Sequence, residues 1–300
     1  MSAVAEAQAV ARYTVEHETS YGYRIAVSQS WQLAHLTPPE LPWQKVLGHE
    51  LAIEPPPDER HERCDAFGNR VTHFGIHGPH PLLDVRMKCD VEVGDRVDPR
   101  AAPKLAWEAV REALHDEPAQ DSLRPARFAE ASALVGWSDA AHGYAAATFT
   151  PGRDWLEATT ELMQRIYREF DFEPGTTTVT TSVDEVIAQK SGVCQDFAHL
   201  MIGCLRSRGL PARYVSGYLL TQPPPGQERL LGADVSHAWV AAYSPRHGWV
   251  EFDPTNDHLA DRRYITLATG GDFADVVPLR GVILGGRGQK MRAAVSVIPR

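Results

Sequence analysis

Three side chains far apart in the chain are of the right types for nucleophilic acyl chemistry: Cys194, His237 and Asp253. A thiolate attacks a carbonyl, an imidazole takes and returns the proton, and a carboxylate orients that imidazole and stabilises its charged form. Each type alone is weak evidence, since most buried thiols simply pack. Position has to carry the argument.

The stretch Ser191-Gly192-Val193-Cys194-Gln195-Asp196-Phe197-Ala198-His199-Leu200-Met201 passes from a glycine-containing loop into an apolar helix expected to reach about Arg208. Cys194 then falls in the first helical turn, where unpaired amides and the positive dipole end favour a sulfur anion and offer donors to an oxyanion. Ser236 to Tyr243 reads as a strand, Ser244 to Gly248 as a loop and Trp249 to Asp253 as the returning strand. If Tyr243 faces Trp249, side chains alternating with period two put His237, Trp239, Asp253 and Thr255 on one face, with His237 and Asp253 as diagonal neighbours. A slip of one residue would separate them.

Further candidates are weaker. Gln189, just ahead of the cysteine, is a candidate oxyanion donor, set against an ordinary solvated helix-end amide. Trp239 is a candidate wall for an acyl groove, although strand tryptophans commonly fill cores. Tyr214 and Tyr218 share a strand face by parity and are candidate substrate or oxyanion contacts, with packing as the plainer role. Asp196 either fixes the local loop or is a solvated first-turn carboxylate, and Cys204 reads as packing. His61, Cys64, His73, His77 and His80 offer metal-ligand atoms without the spacing of a zinc site, so neither a metal nor a cofactor is expected.

The elements that must hold these residues divide the chain. Residues 1–11 read as a frayed tail. Residues 12–99 alternate with period two between Pro and Gly punctuation, which predicts a β-rich, sandwich-like N-terminal domain. After Asp98-Pro99 the sequence turns Ala-rich, and residues 100–300 are expected to form the catalytic domain. Within it, helices are predicted over 153–170, from its amphipathic spacing, and over Val183 to Gln189, where Ser182-Val183-Asp184-Glu185 has the form of a capping box. The proline-rich stretch Gln222 to Glu228 reads as a loop beside the cleft.

Composition narrows the partners. The 300 residues carry a formal charge of −9, which gives no electrostatic reason to bind nucleic acid or anionic lipid. No run of eighteen apolar residues occurs, and no basic leading region precedes the mild apolarity of the N-terminus, so a cytoplasmic protein with no membrane contact is expected. Four cysteines are too sparse for a disulfide scaffold, so free thiols are expected. A peptide or protein substrate fits this composition, and a homo-oligomer stays open.

In order along the chain, the Gly-x-Cys helix start at Gly192, the His-Ala-Trp strand at His237 and the Asp-Pro-Thr strand end at Asp253 resemble the transglutaminase-like superfamily over about residues 175–260. Phe197-Ala198 and the strand-like Ala212 to Tyr218 are similar to that family's core as well. The Leu36-Thr37-Pro38-Pro39 stretch and the Asp65-x-Phe67-Gly68-Asn69 turn resemble the N-terminal region of bacterial members. The resemblance implies an α+β fold with a papain-like core and a Cys194–His237–Asp253 triad working through a thioester. Members include cross-linking enzymes, deamidases, peptidases and amide-cleaving enzymes. Carboxylate-rich calcium loops are not apparent, and the expected outcome is hydrolysis of a peptide or carboxamide. The alternatives are a protein-glutamine transglutaminase or deamidase, and a non-catalytic peptide-binding module of the same fold.

Overall fold

A computed structural model describes residues 10–114, 125–221 and 236–300. The chain begins with five strands: β1 (Ala11–Ala34), β2 (Gln44–Glu54), β3 (Glu59–Cys64), β4 (Arg70–Ile76) and β5 (His80–Val93). Alternation drives them, as along β1, where Tyr13, Val15, His17 and Thr19 are buried between outward-facing neighbours. They form an antiparallel sheet of order β2-β5-β1-β4-β3. The first half of β1 pairs with β5 and the second half with β4.

The helical layer follows: α1 (Trp107–Ala113), α2 (Asp139–Ala146), α3 (Trp155–Glu169), α4 (Val183–Gln189) and α5 (Cys194–Arg206). Asp154 caps α3 by accepting from the Glu157 amide at 3.0 Å, and the buried stripe Trp155, Ala158, Leu162, Met163 and Ile166 turns that helix toward the core. The predicted capping box of α4 is present: Ser182 N donates to Glu185 Oε2 at 2.8 Å, and Glu185 N donates to Ser182 Oγ at 3.3 Å. Beyond its first turn α5 is buried on every side, with His199 and Arg206 among otherwise uncharged, mostly apolar residues.

Between α3 and α5 two short strands, β6 (Asp171–Phe172) and β7 (Ser191–Gly192), pair in parallel. A second sheet of order β11-β10-β9-β8-β12 follows, made of β8 (Ala212–Leu219), β9 (Ser236–Ser244), β10 (Gly248–Asp253), β11 (His258–Leu259) and β12 (Tyr264–Gly270). One of its faces packs on α5, bringing Val240, Ala242 and Phe252 into one core with Leu200, Met201 and Leu205. This helix-on-sheet arrangement is the papain-like α+β core.

The boundary at residue 100 needs one correction. The last strand, β13 (Leu279–Pro299), leaves the C-terminal half and pairs along β1 from Leu279 opposite Ala34 to Pro299 opposite Tyr13. Residues 279–299 therefore belong to the first sheet. Backbone pairing, not side-chain burial, holds most of this strand: it is exposed from Arg280 to Ala293 apart from two half-buried positions. The first strand also starts at Ala11, inside the expected tail, while residues 1–9 of that tail and the loop Gln222 to Glu228 lie outside the described residues.

The two sheets meet through side-chain amides that complete the backbone of β12. Gln44 exchanges two hydrogen bonds with Thr266, of 2.8 and 2.9 Å, and Asn69 exchanges two of 2.8 Å with Thr269. β12 is an edge strand, so these amides supply the partners that a neighbouring strand would otherwise give. Asn69 is presented by the turn seen in the sequence, in which Asp65 Oδ1 accepts from the amides of Phe67 and Asn69 and Gly68 adopts φ 84°.

Candidate functional site

The turn into α5 is built around Asp196. Its Oδ2 accepts from Val193 N at 2.8 Å and from Thr177 Oγ1 at 2.7 Å, closing the start of the helix back on itself. Gly192 makes room for this: a Cβ there would lie 2.8 Å from the Asp196 Cβ. Asp196 is thus a buried loop-fixing group and not a solvated carboxylate, and burial pushes its pKa up against the two hydrogen bonds. Held this way, and anchored upstream by the pairing of β7, Cys194 begins α5 half-buried.

The hairpin has the expected register. Tyr243 faces Trp249 and Val240 faces Phe252, with Gly248 at φ 64° in the turn. His237 Nε2 and Asp253 Oδ2 are 2.7 Å apart, with Asp253 fully buried. That oxygen also accepts from Asn256 Nδ2 at 2.7 Å and from the Tyr264 hydroxyl at 2.8 Å, while Oδ1 accepts from Thr255 N at 2.8 Å. The Cys194 sulfur lies close enough to the same imidazole to help raise its pKa. The three side chains singled out in the sequence therefore meet.

Their electrostatics follow from these contacts. Burial alone would lower the pKa of His237, but the hydrogen bond to Asp253 and the charge behind it, together with the nearby Cys194, outweigh it and raise it to about 10. Burial likewise opposes the charge on Asp253, yet the bonds from His237, Asn256 and Tyr264 hold its carboxyl below the usual range. An imidazole held by a carboxylate beside a sulfur at a helix start is the arrangement of a cysteine nucleophile with its base and orienting group.

The weaker candidates divide. Tyr214 is buried beside His199 and Phe273, and burial, reinforced by the charges of Cys194, Asp196 and Asp272, pushes its phenol well above 10, so it stays a donor. Tyr218 is not at the site: its hydroxyl bonds His17 Nδ1 at 2.8 Å in the core between the two sheets. Parity predicts a shared face, but not what covers it; over Tyr214 that is the helical layer, and over Tyr218 it is the first sheet. Gln189 does not reach the sulfur either, because its amide donates to Ser191 O at 3.0 Å and steadies the loop. Trp239 is fully buried and so walls no groove; it stacks beneath His237 and donates to Glu251 Oε2 at 3.2 Å.

Asn256 and Tyr264 were not foreseen from the sequence. Asn256 had a signal, three residues beyond Asp253 in the same turn, whereas nothing local marks Tyr264, which comes from β12. Cys204 is fully buried and its thiol is pushed up to about 12 by burial, as a packing group would be. Among the described residues no three His, Cys, Asp or Glu side chains converge as metal ligands.

The site lies within a recognisable family pattern. Residues 142–254 match the transglutaminase-like superfamily, and residues 13–92 match the bacterial transglutaminase-like N-terminal region. This chain belongs to the transglutaminase-like superfamily. An uncharacterized protein of Mycobacterium tuberculosis is 40% identical over 301 residues, covering 96% of this chain and 93% of its own length. A protein-glutamine gamma-glutamyltransferase of Pseudomonas aeruginosa is 35% identical over 130 residues, which are 40% of this chain and 20% of the enzyme. Among solved structures, a Cytophaga hutchinsonii protein named as a candidate cysteine protease superposes with a TM-score of 0.74 at 21% identity, over 96% of this chain and 91% of its own, which shows the shared fold. No helix among the described residues of this superfamily member is long and apolar enough to cross a membrane.

Proposed function

We propose that this protein is a cysteine-dependent acyl-transfer enzyme acting on peptide or carboxamide bonds, with Cys194 as nucleophile, His237 as acid and base, and Asp253 as the orienting carboxylate. The observation that carries the reading is the 2.7 Å bond from His237 to the buried Asp253, with Cys194 beside the same ring at the start of α5. The Cys194 sulfur attacks the carbonyl carbon, and the oxyanion is met by backbone amides at the helix start, with the protonated Tyr214 phenol as a further candidate donor. His237 gives its proton to the leaving amine as the C–N bond breaks, leaving a thioester on Cys194. Water then attacks the thioester, its proton passes to His237, and the acid leaves as the sulfur is restored.

A second reading replaces that water with a primary amine, so that an amide forms instead of an acid. It is favoured by the similarity of part of the chain to a protein-glutamine gamma-glutamyltransferase. Incubation with a peptide library and a primary amine, read by mass spectrometry, separates the two. Cleaved fragments that together weigh the parent plus one water, or carboxamides converted to acids by gaining water and losing ammonia, each absent with Cys194→Ala, are the expected result. Predominant amine adducts would replace hydrolysis by transfer, and no Cys194-dependent product of either kind would sink the enzymatic reading.

A further inference from the structure

Away from the triad, a cavity of about 610 Å³ opens between the loop at Leu41 to Trp43, the connecting segment 95–100 and β10. Neither Cys194, His237 nor Asp253 lines it. Its charges do not balance. Glu251 at the back is paired with Arg96 at 2.8 Å, and Arg96 is further engaged by the carbonyls of Asp261 at 2.5 Å and Tyr264 at 3.3 Å. The other lining acids have cations of their own: Asp95 pairs with Arg262, Asp98 with Arg100 and Asp261 with Arg263. Arg213 has no ion pair of its own, and the charge that acts on it is Glu251, which Arg96 already holds. Its guanidinium lies 4.2 Å from the centre of the Trp249 ring, and its Nε has no hydrogen-bond partner among the described residues. The indole N–H of Trp43, on another wall of the same cavity, is also buried without a partner. Burial pulls Arg213 down to about 10, so it remains charged at neutral pH.

One guanidinium with no ion pair of its own, in a cavity walled by tryptophan, leucine and valine, defines what fits. We infer that this cavity is a second binding site, for a monocarboxylate with an apolar or aromatic body whose carboxylate is held by Arg213. A guanidinium presents a planar pair of N–H groups to a carboxylate, and the apolar walls take the remainder of the ligand. A polyanion would be opposed by Asp95, Asp98 and Asp261, and a cation would meet the donors. The carboxylate can belong to a free acid or to the C-terminal end of a peptide. The inference does not depend on the catalytic reading.

The test is calorimetric binding to the full chain of phenylacetate and N-acetyl-Ala-Phe, each against its neutral amide. Both acids are expected to bind at least about tenfold more tightly than their amides. The tighter of the two tells whether a free acid or a chain end suits the cavity, and either order supports the site. Arg213→Gln should abolish the preference for the acid while leaving the amide affinity unchanged. Bound phenylacetate should not slow alkylation of Cys194 by iodoacetamide, which separates this cavity from the triad. Equal affinity of acid and amide in the native protein, no binding of either acid, or protection of Cys194 would overturn the inference, whether or not the Arg213 variant folds.

Discussion

His237 and His17 are both largely buried, and they behave in opposite ways. At the triad, His237 faces the Asp253 carboxylate and the Cys194 sulfur, and its pKa rises to about 10. In the core between the two sheets, His17 faces only hydroxyls, Tyr218 at 2.8 Å and Thr19 at 3.1 Å, and burial takes its pKa down to about 4. Burial therefore does not by itself make a histidine acidic or basic; the charge of its partner decides. One region stores a cation where chemistry needs it, and the other keeps a neutral ring as a structural hydrogen-bonding group.

Removing the partner's charge at the triad should have the largest effect. Asp253→Asn keeps the shape of the side chain but removes the carboxylate, and should lower kcat by about 10³- to 10⁴-fold in a peptide or amide hydrolysis assay. It should also bring the His237 titration, followed by NMR, down from about 10 toward or below the ordinary value of 6.5. A variant with near-native activity would break the comparison.

Tyr264→Phe is a finer probe. It removes one of three donors to Asp253 Oδ2 while leaving the ion pair, so the carboxylate becomes more basic and the His237 titration should move upward. A loss in kcat of roughly tenfold is expected, with KM little changed. A rise in KM alone would mean that Tyr264 contacts substrate instead of positioning Asp253.

Buried histidines away from the triad are probed through stability. The pKa of His17 and that of His199 both fall from 6.5 to about 4 in the folded chain. Between those values the unfolded chain takes up protons that the folded chain declines, so stability is full above pH 6.5 and is lost as the pH drops toward 4. Each histidine contributes at most about 3 kcal/mol to that slope. Denaturant titrations at pH 7 and pH 4.5 should show His17→Asn with a shallower loss than the native chain; an unchanged slope would mean that His17 is already charged.

Much of the site was legible because each part rests on a local periodicity. An apolar run after Gly192 fixes where α5 starts, and the alternation on either side of the Ser244 turn fixes the face shared by His237 and Asp253. What was not legible depends on long-range pairing. β13 shows no burial pattern over most of its length, so nothing in its sequence announces that it runs beside β1. Tyr264 reaches Asp253 because β12 lies across β8, a relation that spacing does not encode. Tyr218 was assigned the right face but the wrong neighbour, since the packing of one sheet on another is decided by the whole molecule.

Acyl transfer by this protein requires a helix-start sulfur to meet a charged imidazole, and alkylation of Cys194 probes that pairing directly. Iodoacetamide labelling followed residue by residue by mass spectrometry has an internal control in Cys64, which is exposed on β3. Near neutral pH, Cys194 should be labelled roughly tenfold or more faster than Cys64 in the native chain, and the advantage should vanish in His237→Ala. Equal labelling of the two thiols in the native chain, or a Cys194 rate untouched by loss of the imidazole, would contradict the account.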